Sequence, residues 1–212
     1  MVQVYKAGGV VFMEKIILAS ASPRRKMLLN QIGVSFEVMV SDVEEKINYE
    51  LPPDELVKEL SRQKAMNVAK RLGEGFLVIG ADTVVVFDGK ILGKPKDKED
   101  AFKMLFMLQG HWHEVYTGVT IIKTKDMLVE SDCEKTEVYM RKLSSSLINQ
   151  YINTGEPLDK AGAYGIQEKG GLFIDKINGD YNNVVGLPVK LIVALAEKMG
   201  VDLYQNIFKI RS

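Results

Sequence analysis

In "LASASPRRK", Leu18 to Lys26, two hydroxyls and two guanidiniums lie close together. The stretch "KIILAS" reads as a short apolar strand and "PRRKMLLNQIG" as a helix, with Ser22 as N-cap, Pro23 at the first helical position and Gly33 as the stop. Arg24 and Arg25 then fall in the first turn, at the positive end of the helix dipole, which costs roughly 0.3–1 kcal/mol per charge. An anion would resolve that conflict. Free N–H groups, the hydroxyls of Ser20 and Ser22 and the fork donors of Arg24 and Arg25 would all act on one phosphate. The same pattern also reads as a capped surface helix with solvated arginines.

Asp82 is the second residue out of place. "FLVIGADTVVVF" is apolar except for Gly80, Asp82 and Thr83, and an unpaired carboxylate in a buried strand is expensive. It reads as a carboxylate projecting from a strand end into a cleft, the alternative being an ordinary turn residue between two strands. "SDVEEK" adds Asp42, Glu44 and Glu45; strand alternation would put the first two on one face and Glu45 on the other. Such a cluster is commonly a solvated edge. Beside Asp82 and a polyphosphate it would supply the hard oxygen ligands that Mg²⁺ takes.

Two lysines could meet the same anion. Lys94 stands in "LGKP", stiffened by Pro95, and Lys64 lies on an amphipathic helix where a surface lysine is the plain expectation. In "EPLDKAGAYGIQ" small residues permit close backbone approach to a ligand beside Tyr164 and Gln167. The Gln167 amide could match a pyrimidine edge, though a structural Gly-rich loop explains the composition as well. His111, Trp112 and His113 in "GHWHE" read as structural, since a spacing of two without further ligands does not make a zinc site.

The elements that must position these groups alternate between strand and helix. "EVMVSDVEE" reads as a strand with an acidic edge, "PPDELVKELSRQKAMNVAKRLG" as a helix, and "DG" at Asp88–Gly89 as a hairpin turn. A helix ending at Gly110, two or three strands from Glu114 onward and a capped helix in "SSSLINQYINTG" follow. "GLFIDKINGDYNNVVG" reads as strand and turn, and a last helix runs from Pro188 to Met199. The alternation with hairpins predicts α/β with a mixed sheet, and residues 93–97 could mark a lobe boundary. Residues 1–14 read as an N-terminal extension to a single domain over residues 15–212.

Composition narrows the partners. Twenty-eight basic residues balance 28 acidic ones, so no global field draws the chain to nucleic acid or an anionic membrane, and an anion site must be local. Cys133 is the lone cysteine, which fits a reducing compartment and an idle thiol. No apolar run reaches the ~20 residues that span a bilayer, and the start lacks the pattern of a secretory signal. The cytoplasm is the expected location.

"LASASPRRKMLL", "SDVEE", "GADTVVV", "GKP", "DKAGAYGIQ" and "NNVVGLP", in this order, resemble the Maf-like nucleoside triphosphate pyrophosphatases over Lys15 to Ala196. Lys64, Lys94 and "AYGIQ" are similar to the branch acting on dTTP and UTP. The resemblance implies an α/β fold like inosine triphosphate pyrophosphatases, with an elongated mixed sheet, two lobes, a central cleft and a homodimer. It implies that Ser20, Ser22, Arg24 and Arg25 hold the triphosphate and that Asp82 accepts a proton. Glu45, Lys64, Lys94 and Gln167 match further active-site positions, and Arg24, Thr83 and Gln167 match positions tied to base selectivity. Mg²⁺, or another divalent cation such as Mn²⁺, would be held by Glu45 and Asp82. Strict alternation aims Thr83 away from a cleft that Asp82 faces, so both reach it only if the strand bulges or ends there. A non-catalytic nucleotide-binding regulator of cell division and a nucleotidyltransferase are the competing readings.

Overall fold

The computed structural model describes residues 14–48 and 50–208 in full and, before them, the backbone of two strands, β1 (Gln3–Lys6) and β2 (Gly9–Phe12), paired antiparallel. Of the extension expected over residues 1–14, residues 1, 2, 7, 8 and 13 lie outside the described residues. β3 (Lys15–Leu18) leads through α1 (Pro23–Gln31) to β4 (Phe36–Val38), which returns parallel to β3 with Phe36 opposite Ile16. α2 (Pro53–Ala69) then feeds β5 (Phe76–Phe87), also parallel to β3. Asp88 and Gly89, with φ of 51° and 71°, turn the chain into β6 (Lys90–Leu92), as a two-residue hairpin requires.

After α3 (Lys98–Leu108), the long strands β7 (Trp112–Lys123) and β8 (Leu128–Met140) add antiparallel to β5. α4 (Ser145–Asn153) and three 3₁₀ turns (Glu156–Asp159, Ala161–Ala163, Lys169–Phe173) lead to β9 (Ile174–Asn178). α5 (Tyr181–Val185), α6 (Val189–Lys198) and α7 (Leu203–Phe208) close the chain. The mixed sheet runs β4-β3-β5-β7-β8-β9, with β6 on the far half of β5.

Four hydrophobic clusters share the long strands, two on each face of β5. Leu77, Ile79 and Ala81 pack with α1 and α6 residues such as Leu28 and Ile192, while Val85 packs with Leu105 of α3 and Ile148 of α4. On the other face Val78 meets Ala65 and Val68 of α2, and Val84 and Val86 meet Val57. The period of two is therefore kept along all of β5.

α2 packs directly on the backbone of the sheet where two strand residues lack side chains. A Cβ on Gly80 would stand 2.4 Å from Ser61 O, and one on Gly118 would stand 2.3 Å from Val57 O. This contact sets the height of α2 above β5, and with it the reach of Lys64.

The structure departs from the sequence reading at three elements. β4 stops at Val38, so the acidic stretch is irregular backbone and not a strand edge. Capping by Asp180, whose carboxylate accepts from Asn182 N at 2.7 Å, winds Tyr181–Val185 into a helix where strand and turn were expected. α7 follows Gly200 where no further helix was expected.

Candidate active site

Only part of one edge of β5 is covered. β3 pairs with it over residues 76–79 and β6 over residues 85–87, while the other edge pairs with β7 without interruption from Leu77 to Val86. Between the two partners the edge opens into a cavity of about 720 Å³, a size suited to a small ligand. A smaller hollow of about 330 Å³ adjoins it at the start of α1 and shares Ser22, Arg24, Arg25, Glu45, Lys64 and Lys94.

Asp82 lies in the middle of β5, not at a strand end, and β5 does not bulge there. Asp82 and Thr83 point to opposite faces, yet both line the large cavity. They do so because no strand lies beside them, so the cavity wraps around the bare edge. The alternation that set the two residues apart is intact.

On the α2 face, Lys64 Nζ forms an ion pair with Asp82 Oδ1 and lies 3.3 Å from Glu45 Oε1. Lys64 is no surface lysine: its side chain is 14% exposed, and it gathers one carboxylate from the irregular stretch and one from the strand. Asp42 turns away to Arg71, 3.3 Å distant, and Glu44 is exposed. Lys94, just past β6, lines both hollows.

At the start of α1, Ser22 Oγ accepts from Arg25 N, and Ser20 Oγ accepts from Ser22 N at 3.2 Å. Arg24 lines the cavity and pairs with Asp159 at 3.3 Å. Arg25 differs from expectation. Its Nε donates to Gly186 O and its Nη1 to Ala81 O, each at 2.8 Å, with further bonds to Ser20 Oγ and Thr83 Oγ1. The guanidinium thus takes the place of a neighbouring strand against the bare edge of β5. Burial pulls its pKa below the usual range, with the Asp82 charge opposing that shift.

Gln167 lines the cavity, and its Oε1 is buried without a hydrogen-bond partner. Leaving a buried amide oxygen unsatisfied costs about 1–3 kcal/mol, which a donor on a ligand would recover. Tyr164 also borders the cavity but is buried in the core, its hydroxyl 2.8 Å from His113 Nε2. Burial pushes the Cys133 thiol up to about 12, leaving it without the thiolate that a nucleophile needs.

Several residues of the site were not singled out in the sequence. Asp159 and Lys160 sit in the cavity wall, and Lys160 Nζ donates to Glu156 O at 2.7 Å and Asp159 Oδ1 at 2.8 Å. Burial opposes the Asp159 carboxylate, but the Lys160 hydrogen bond and charge, with Arg24 behind them, hold it below the usual carboxylate range. Glu156 is buried and accepts from Tyr151 OH at 2.8 Å, Gly170 N at 3.0 Å and Lys169 N at 3.2 Å, which winds the Gln167 loop around it. Three charges around Pro157 in a loop of small residues were the available signal. Thr117 and Asn183 are fully buried behind Thr83, and only the paired asparagines of "NNVVG" hinted at them.

The carboxylates of Asp82 and Glu45 already flank one cation, the Lys64 ammonium. Such a pair beside a polyphosphate fits Mg²⁺, which takes one or two carboxylates and completes its shell with phosphate oxygens and water. Among the described residues no group of three or more His, Cys, Asp or Glu gathers to form an all-protein cage. No helix among them is long and apolar enough to cross a membrane.

Residues 15–199 match the family model described as Maf-like protein. A dTTP/UTP pyrophosphatase of Thermoanaerobacter sp. (strain X514) is 54% identical over 190 residues, covering 89% of this chain and 99% of its own. One of Alkaliphilus oremlandii (strain OhILAs) is 54% identical over 194 residues, covering 90% of this chain and all of its own. Among solved structures, the Staphylococcus aureus Ham1 protein covers 88% of this chain and 100% of its own at 16% identity, with a TM-score of 0.48.

Proposed function

This chain belongs to the Maf-like protein family, and from that premise we propose that it hydrolyses dTTP and UTP between the α- and β-phosphates, releasing the nucleoside monophosphate and pyrophosphate. The observation that carries the reading is the meeting of Arg24, Lys64, Lys94, Glu45 and Asp82 in the wall of one cavity that also holds Gln167. Cations, an acid pair and an uncommitted amide suit the phosphates, the attacking water and the base of one nucleotide.

Arg24, Lys94 and the hydroxyl-lined start of α1 hold the triphosphate and counter charge on the leaving oxygens. Lys64 fixes the Asp82 carboxylate and brings a positive charge to the same point. Asp82 orients a water toward the α-phosphorus and takes its proton as the new P–O bond forms. The bond from the α-phosphorus to the bridging oxygen breaks, and pyrophosphate leaves with the electron pair. Mg²⁺ or Mn²⁺ held by Glu45 and Asp82 would, when bound, neutralise phosphate charge and lower the pKa of a bound water. Arg25 supports the bare strand edge and lends its charge from a fixed position. Thr83 and Gln167 face the base. The reading carries with it a homodimer, which the resemblance implies, a cytoplasmic location, which the lone Cys133 fits, and no nucleic-acid partner, which the zero formal net charge supports.

The test is incubation with dTTP or UTP and Mg²⁺, with pyrophosphate and orthophosphate assayed separately and EDTA as a control. Pyrophosphate is expected without any added acceptor. Orthophosphate alone, nucleotide binding without turnover, or release only when an acceptor is supplied would each overturn the reading.

A further inference from the structure

The hydroxyl of Thr83 has its polarity fixed from behind. Thr117 Oγ1 donates to Asn183 O at 3.0 Å, and since a carbonyl can only accept, the single hydroxyl proton of Thr117 is committed there. Thr83 Oγ1 lies 2.9 Å from Thr117 Oγ1, so Thr83 must be the donor in that bond. Arg25 Nη2, which can only donate, takes one lone pair of Thr83 Oγ1 at 3.1 Å. The proton and one lone pair of Thr83 are therefore spent inside the protein. What remains is one lone pair, on a residue that lines the cavity, which can accept a hydrogen bond and cannot give one.

We infer that Thr117 is a specificity-positioning residue: it makes Thr83 an obligate acceptor for the imino N3–H of a uracil or thymine ring. This rests on the proposed hydrolysis of dTTP and UTP. Cytosine carries a lone pair at N3, so against the fixed acceptor it meets lone pair with lone pair, and the complex loses a hydrogen bond that the correct base makes. Thr117 is fully buried and is not among the residues that line the cavity, so its hydroxyl reaches a ligand through Thr83, while its bond to Asn183 O ties it to α5. If Thr117 lost its hydroxyl, the Thr83 proton would be free to turn toward the cavity, and the hydroxyl could then serve either base.

Thr117→Val removes the hydroxyl at nearly constant volume, and Thr117→Ser keeps it. The experiment compares kcat/KM for dTTP and dCTP in the wild type and both variants. Thr117→Val is expected to lower the dTTP:dCTP ratio about tenfold, the effect of one net hydrogen bond, with kcat for dTTP changed by less than about threefold. Thr117→Ser is expected to keep the wild-type ratio. An unchanged ratio in folded Thr117→Val, or an equal loss in Thr117→Ser, overturns the assignment while leaving the pyrophosphatase reading in place. A wild type that releases no pyrophosphate from dTTP or UTP overturns that reading instead. Neutron diffraction from wild-type crystals tests the proton order without any substrate, and also if Thr117→Val fails to fold. The deuteron of Thr83 is expected on the line to Thr117, and a deuteron directed into the cavity overturns the inference.

Discussion

Arg25 Nη1 lies 2.8 Å from the carbonyl oxygen of Ala81, in the interval of the β5 edge that neither β3 nor β6 covers. Backbone groups at such an edge need partners, and here a side chain supplies one. Arg25 thus partners the edge of β5 where the sheet is interrupted.

Arg25→Ala is expected to lower stability by about 3 kcal/mol, because the carbonyls of Ala81 and Gly186 lose their charged donor. Lysine cannot reproduce the fork, so Arg25→Lys should recover little of the loss. Urea denaturation of the variants measures this; a loss under about 0.5 kcal/mol, the level of an ordinary surface substitution, would show that Arg25 serves only the ligand.

Asp82→Asn keeps the volume of the side chain and leaves Lys64 its contact with Glu45. Pyrophosphate release should fall about 10²-fold or more with the fold intact, as when a general base is lost. Near-normal turnover, with the melting curve unchanged, would refute the assignment of Asp82.

Gln167→Ala should reduce discrimination among dTTP, UTP and CTP more than it slows the best substrate. The amide oxygen has no partner within the protein, so the variant should be no less stable than wild type, within about 0.5 kcal/mol. A thermal melt with a three-substrate panel checks both halves.

Gly118→Ala drives a methyl group into the Val57 backbone, which cannot step aside without moving α2. A stability loss of about 2–3 kcal/mol is expected from overpacking. Because Lys64 rides on α2, kcat should drop in the protein that remains folded. Gly73→Ala, where nothing lies within 4 Å of the added carbon, is the matched control.

His113 is buried against Tyr164, and burial pushes its pKa down to about 4. The folded protein therefore binds fewer protons here than the unfolded chain between pH 6.5 and about 4. Stability is fully present above pH 6.5, falls as the pH drops through that window and levels below it, by about 3 kcal/mol in all. His113→Gln should flatten this slope in denaturant titrations at pH 7 and pH 4.5. An equal slope in both proteins would place the acid sensitivity elsewhere.

The sequence alone carried the alternation of elements, the Asp88–Gly89 hairpin, the capped start of α1 and the chemical types gathered in the site. Those features are local: periodicity, caps and turn residues act within a few positions. The irregular backbone after Val38 was not legible, because its form depends on Gln63 and Asn67 of α2, whose amide oxygens accept from Lys46 N and Asp42 N. Only the tertiary structure decided how the charges are used. Arg25 and Gly186 are 161 residues apart along the chain, and Thr83 and Thr117 are 34 apart, so no local pattern encodes their bonds. Residue types fixed which groups could bind phosphate. The break between β3 and β6, which exists only once the strands are paired, decided that Asp82 and Thr83 share one cavity from opposite faces and that Arg25, of the two arginines, partners the strand edge.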